Sequence, residues 1–233
     1  MVLRKKQSKP TSKIRHLITK INPKSPISEQ YRTIRTNIQF ASVDNPIRSL
    51  IVTSSGPSEG KSTTTANLAI VYAQQGKKVL LIDADLRKPT IHYTFRLDNL
   101  RGLSNVLVGE HSLKEVTHES DVTNLDVISC GPIPPNPSEL LGSRKMVQFL
   151  EEAKQAYDIV IFDTPPVLAV TDAQILANIV DGSILVIRSG STEIEDAVKA
   201  KEALEPAKAK LLGTVLNGRE KTASNYYYYY GTN

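Results

Sequence analysis

Residues 54–63 read Ser-Ser-Gly-Pro-Ser-Glu-Gly-Lys-Ser-Thr, after an apolar β-rich run and before a helix-like one. That is the setting in which a Gly-Lys-Ser loop wraps a phosphate chain. Gly60 would let the backbone approach a phosphate closely, and the N–H groups from Glu59 to Thr63 would cradle it at a helix N-terminus. Lys61 would reach the outer phosphate oxygens, and Ser62 is the expected Mg²⁺ ligand. Gly56, Pro57 and Ser58 complete the loop, with one departure: the first glycine of the G-x-x-x-x-G-K-S spacing falls on Ser55 and glycine comes one place later. A turn that happens to contain Gly-Lys-Ser is the bland alternative.

Carboxylates that would complete such a site stand at the ends of two further apolar runs, Asp83 and Asp85 after VLLI and Asp163 after IVIF. An aspartate ending one strand is ordinarily a turn or a helix cap. Two such strands beside a phosphate loop carry more weight, because parallel strands deliver their C-terminal ends to one edge of a sheet. Asp163 is placed as the acid holding Mg²⁺ through water, and Asp83 or Asp85 as proton acceptor or part of the metal shell, with Asp83 preferred as the acceptor. Asn217 and Arg188, at late strand ends, are candidates to contact an adenine or are plain surface residues; Asp172 is a helix cap or a group behind the site.

The elements that must position these groups are readable from periodicity. SLIVTSS, VLLID, LDVISC, IVIFD, SILVIRS and LLGTVLN read as strands buried on both faces, hence a parallel sheet. STTTANLAIVYAQQG carries an apolar stripe of Ala66, Ala69, Ile70 and Ala73 with Gly76 as its C-cap. A second helix opens at Pro137 and Ser138 and runs to about Tyr157, and a third covers TEIEDAVKAKEALE before Pro206. The expected fold is doubly wound α/β, of the P-loop NTPase type.

The chain has 233 residues, 40% of them apolar, enough for one well-buried domain with tails. No apolar run of about 18 residues and no leader pattern is present. That points to a cytoplasmic protein, and the single Cys130 fits a reducing compartment. The net charge of +5 is a terminal effect: eight cations, from Arg4 to Lys24, precede the first acid, Glu29, so the remainder carries −3. Such an arm suits an anionic surface or is simply solvated, and no nucleic-acid partner is inferred from it. The expected organisation is a partly disordered basic arm over 1–28, a P-loop domain over 29–217 and a flexible tail over 218–233. The four histidines are scattered, with none at metal-ligand spacing.

Taken together, GPSEGKST, LLIDADLRKP, GPIPPNPSELL, IVIFDTPP and the tyrosine run Tyr226, Tyr227, Tyr228, Tyr229 and Tyr230 resemble the bacterial tyrosine kinases, or BY-kinases. The likeness is to the separate kinase subunits of Gram-positive bacteria and spans residue 29 to the end. It implies ATP and Mg²⁺ as cofactors. It matches the family's D-x-D to Asp83 and Asp85 with Arg87 close behind, and its Walker B acid to Asp163. The family's E-x-x-R-x-x-R motif matches Glu29, Arg32 and Arg35, implying a ring-like homo-oligomer, although helical spacing alone would make them a solvated charged face. The resemblance further implies a transmembrane adaptor that activates the kinase at the inner face of the membrane. It also implies other protein tyrosine substrates, a tyrosine phosphatase that reverses the modification, and a role in capsule or exopolysaccharide production.

Eukaryotic-type kinase motifs are absent, so the chemistry would run on the P-loop. Min/Par-type ATPases share the fold but carry a lysine five residues before the P-loop lysine, where this chain has Gly56. That favours the kinase over an ATPase switch, and both over a nucleic-acid-binding protein. A tyrosine hydroxyl, with a pKa of about 10, needs a base or a nearby cation to attack at neutral pH. The linker GREKTASN lets Tyr226 reach about 15–18 Å from Asn217, which permits attack in cis or trans; the resemblance implies trans. A sticky, unstructured tail is the competing account of the five tyrosines.

Overall fold

A computed structural model describes residues 17–41 and 46–219; the tyrosine cluster lies outside them. The N-terminal helices α1 (Ile18–Ile21) and α2 (Pro26–Phe40) are followed by β1 (Ser49–Ser54), α3 (Lys61–Ala73) and β2 (Val79–Asp83). Short helices α4 (Ile91–Phe95), α5 (Leu103–Val108) and α6 (Leu113–Val116) lead to β3 (Thr117–Glu119) and β4 (Leu125–Ile128). Then come α7 (Pro137–Leu141), α8 (Arg144–Ala156), β5 (Ile159–Asp163), α9 (Asp172–Ala177), β6 (Gly182–Arg188), α10 (Ile194–Leu204) and β7 (Lys210–Asn217).

The strands form one sheet in the order β3-β4-β2-β5-β1-β6-β7, parallel except for β3, which pairs antiparallel with β4. Because successive strand residues face opposite sides, Leu50 and Val52 join α3 and α2 on one face. Ile51 joins Met146, Phe149 and Leu150 of α8 on the other. Both faces of the central strands are therefore covered, and their apolar runs are unbroken for that reason.

Four expectations need correction. β7 is an edge strand whose side chains are mostly half-buried or exposed, since only β6 flanks it. The α3 helix is buried all round from Thr64 to Ala73, its polar Thr64, Thr65 and Asn67 included, because it lies between the sheet and the N-terminal helices; Gln74 caps it and Gly76 turns the chain two residues later at φ +88°. The single helix expected from Pro137 to Tyr157 is two: α7 stops at Gly142, and Ser143 caps α8 by accepting a hydrogen bond from the Met146 N–H. Finally, the boundary expected at residue 29 falls inside α2. Leu17, Thr19 and Ser28 are buried, and Thr19 binds the Asn67 side chain through both its N–H (3.0 Å) and its hydroxyl (2.8 Å), tying α1 to α3. No described helix is long and apolar enough to cross a membrane.

Candidate active site

The phosphate loop joins β1 to α3 and is shaped by two residues in the left-handed region, Ser58 at φ +66° and Gly60 at φ +97°. Only glycine fits at 60, because a Cβ there would stand 2.0 Å from the Asn217 Nδ2. Asn217 donates to the Glu59 carbonyl (2.8 Å) and Arg188 to the Ser58 carbonyl (3.2 Å). The two residues expected as adenine contacts thus hold the loop backbone from the ends of β7 and β6.

Lys61 opens α3 with its side chain 12% exposed and turned toward the sheet. Its Nζ lies 3.1 Å from the Asp85 Oδ2, 3.7 Å from the Asp163 Oδ1 and 3.3 Å from the Ser62 hydroxyl. Burial works against the ammonium, but Asp163 and Asp85 outweigh it, so the Lys61 pKa is raised. Asp163 ends β5 fully buried, and Thr65 donates to it at 3.4 Å. Asp83 ends β2 directly opposite Asp163 in the register. Lysine and acids therefore share one edge of the sheet, as parallel strand ends require.

The two acids of the D-x-D pair are held differently. Asp83 is fully buried; its Oδ2 accepts the N–H groups of Thr90 and Ile91 at 2.8 Å each, and its Oδ1 accepts the Asp85 N–H at 3.3 Å. Burial first, and the neighbouring Asp163 second, push its pKa up to about 7 against the pull of those amides. Asp85 faces Lys61 and accepts the Lys88 N–H at 3.0 Å. Ser62 and these carboxylates are hard oxygen donors that fit Mg²⁺, which typically takes one or two protein carboxylates and fills its shell with water and phosphate. No cluster of three or more acid, His or Cys ligands occurs among the described residues, as that mode of binding allows.

Behind the D-x-D loop lies a group whose partners sequence alone did not supply. Asp172, fully buried as the first residue of α9, accepts the Arg87 Nε at 2.9 Å and Nη2 at 3.1 Å, and the Ser138 hydroxyl at 2.7 Å. The fork geometry of guanidinium on carboxylate ties the loop after β2 to α7 and α9. In the E-x-x-R-x-x-R segment, Glu29 pairs with Arg32, which also donates to the Pro23 carbonyl (2.7 Å). Arg35 is turned onto α3, donating to the Val71 carbonyl at 2.8 Å.

A parallel sheet with a phosphate loop and two strand-end aspartates on its C-terminal edge defines a P-loop NTPase, and comparison with known proteins agrees. A family model described as an AAA domain matches residues 47–195. MinD of Pyrococcus horikoshii, solved with Mg-ADP, is similar with a TM-score of 0.63 and 25% identity over 75% of this chain and 72% of that one. Nearer likenesses narrow the class. The tyrosine-protein kinase YwqD of Bacillus subtilis is 60% identical over 94% of this chain and 92% of its own length. CapB of Staphylococcus aureus is 45% identical over 96% and 99%. Among solved structures, the chimerical protein CapA2B2 matches with a TM-score of 0.85 and 44% identity, covering 89% of this chain and 93% of that one. The kinase domain of the Escherichia coli tyrosine kinase ETK matches with a TM-score of 0.84 and 38% identity over 94% and 88%. The chain belongs to the bacterial tyrosine-kinase family.

Proposed function

We propose that this chain transfers the γ-phosphoryl group of ATP to tyrosine hydroxyls, those at 226–230 of its own tail among them, and through this regulates capsule or exopolysaccharide production. The observation that carries the reading is the convergence of Lys61 with Asp85 and Asp163 over one phosphate loop. The loop amides and Lys61 bind and orient the phosphates. Bound Mg²⁺ would neutralise charge on the phosphate oxygens, with Ser62, Asp163 and the D-x-D acids to hold it. Asp83, at the end of β2 opposite Asp163, takes the tyrosine proton.

The tail's root supports autophosphorylation. Asn217, the last residue of β7, touches the phosphate loop itself, and Tyr226 follows nine residues later. Attack on a neighbour's site within a homo-oligomer, with Glu29, Arg32 and Arg35 at the contact, fits the same short linker. A transmembrane adaptor would recruit and activate the kinase at the membrane, and a tyrosine phosphatase would reset it.

Incubating the full chain with Mg²⁺ and ATP, with and without a candidate adaptor peptide, is expected to place phosphate on Tyr226 to Tyr230 by mass spectrometry. Lys61→Met and Asp83→Ala are expected to abolish it. Hydrolysis of ATP with the tail unmodified under all these conditions would instead favour a MinD-like switch.

A further inference from the structure

The glycine missing from the first position of the phosphate-loop pattern has a structural counterpart. Ser55, which stands there, donates its hydroxyl to the Glu59 Oε1 at 2.6 Å. Thr192, in the loop between β6 and α10, donates its own hydroxyl to the same oxygen at 2.6 Å. Thr192 in turn accepts the backbone N–H of Arg188 at 2.8 Å, so the carboxylate ends a relay that begins at the last residue of β6.

We infer that Glu59 is a positioning residue of the nucleotide site, its carboxylate holding the phosphate loop in its binding shape from beneath and tying that shape to the loop after β6. Glu59 is flanked on both sides by left-handed residues, Ser58 and Gly60. A non-glycine residue such as Ser58 persists there only when its surroundings over-determine the backbone. The surroundings are on hand: Arg188 and Asn217 hold the carbonyls of Ser58 and Glu59, while Ser55 and Thr192 hold the side chain between them. A loop whose only duty was to present N–H groups to phosphate would leave its side chains in solvent, as Pro57 and Ser58 do. Glu59 is 7% exposed.

The ties come from residues 188, 192 and 217, far from the phosphate loop in sequence, so whatever displaces the ends of β6 and β7 also alters the loop's readiness to bind. By linkage, bound nucleotide stiffens those strand ends in return. A loop freed from one tie populates its binding-ready shape for a smaller fraction of the time, and apparent affinity falls by that fraction.

The inference rests on the ATP-site reading above, and its test is separable from it. ATP binding to the full chain is measured by calorimetric titration in Mg²⁺ for wild type, Lys61→Met, Thr192→Val and Thr192→Ser. Wild-type binding that Lys61→Met removes tests the site itself. Thr192→Val keeps the shape and loses the hydroxyl, so it is expected to weaken ATP roughly tenfold, with Thr192→Ser within about twofold of wild type. The maximal autophosphorylation rate at saturating ATP is expected to stay within about twofold, because a lost tie costs binding and leaves the reacting groups in place. Should Thr192→Val melt below the assay temperature, Ser55→Ala removes the other donor and is likewise expected to weaken ATP roughly tenfold. The inference is overturned if the folded variant lacking a donor binds ATP like wild type, or if Thr192→Val and Thr192→Ser are equally impaired.

Discussion

Replacing Asp83 by asparagine should stabilise the fold at neutral pH while ending catalysis. Asp83 lies wholly inside the protein, opposite Asp163, and its pKa rises from an ordinary 3.8 to about 7. In the native state it therefore holds a proton across a pH range where the unfolded chain has released it. Its contribution to stability is complete below pH 3.8, declines as pH rises and is gone above about 7. The gap between those values is worth about 4 kcal/mol. Asparagine mimics the protonated acid at every pH. Its carbonyl oxygen still accepts the Thr90 and Ile91 N–H groups, but its amide cannot accept the long 3.3 Å bond from Asp85, a loss of about 1 kcal/mol. The net gain at pH 8 is about 3 kcal/mol, or about 6–12 °C in Tm for a chain of this size. Urea unfolding of both proteins in EDTA from pH 5 to 8.5 is the assay. The difference should grow from less than about 1 kcal/mol at pH 5 to about 3 kcal/mol at pH 8. A difference independent of pH, or an asparagine variant less stable than wild type at pH 8, would refute the reasoning.

Two further predictions concern the groups around the acids. Arg87→Ala leaves the buried Asp172 without its cation and should cost about 2–3 kcal/mol in urea unfolding, less than a fully buried pair because the Arg87 side chain is 38% exposed. Arg87→Lys should recover only part, since an ammonium cannot make the paired contact. Gly60→Ala should abolish measurable ATP binding, because the new Cβ meets Asn217 at 2.0 Å and the backbone sits at φ +97°. Adding Asn217→Ala relieves the clash but leaves a left-handed penalty of about 1–2 kcal/mol, so titration of the double variant should show partial recovery.

What could be read in the sequence and what could not divide along the range of the interactions. The apolar runs at β1, β2, β5 and β6 announce strands because both faces of each are covered, and a strand-end aspartate is legible as a site residue because parallel strands share an edge. β3 carries no such run: Thr117–Glu119 is a strand only because β4 offers it a partner. The break between α7 and α8 was signalled locally by Gly142 and Ser143, but the apolar period on either side masked it.

Charge was the least informative guide to the N-terminal segment. Lys20 and Lys24 suggested a solvated arm reaching to residue 28, yet what fixes residues 17–28 is a buried threonine on an asparagine 48 positions away. Arg87 meets its carboxylate 85 positions on, and Glu59 meets Thr192 at a separation of 133. Each of these contacts joins elements far apart in the chain, helix to helix, loop to helix or loop to loop, and no periodicity encodes such a pairing. The phosphate loop shows the division in one motif. Its bonding surface toward phosphate is written in ten consecutive residues, whereas the bonds that keep that surface in shape arrive from the ends of β6 and β7. A substitution at Thr192 should therefore act on nucleotide affinity from outside the motif, as one at Lys61 acts from within it.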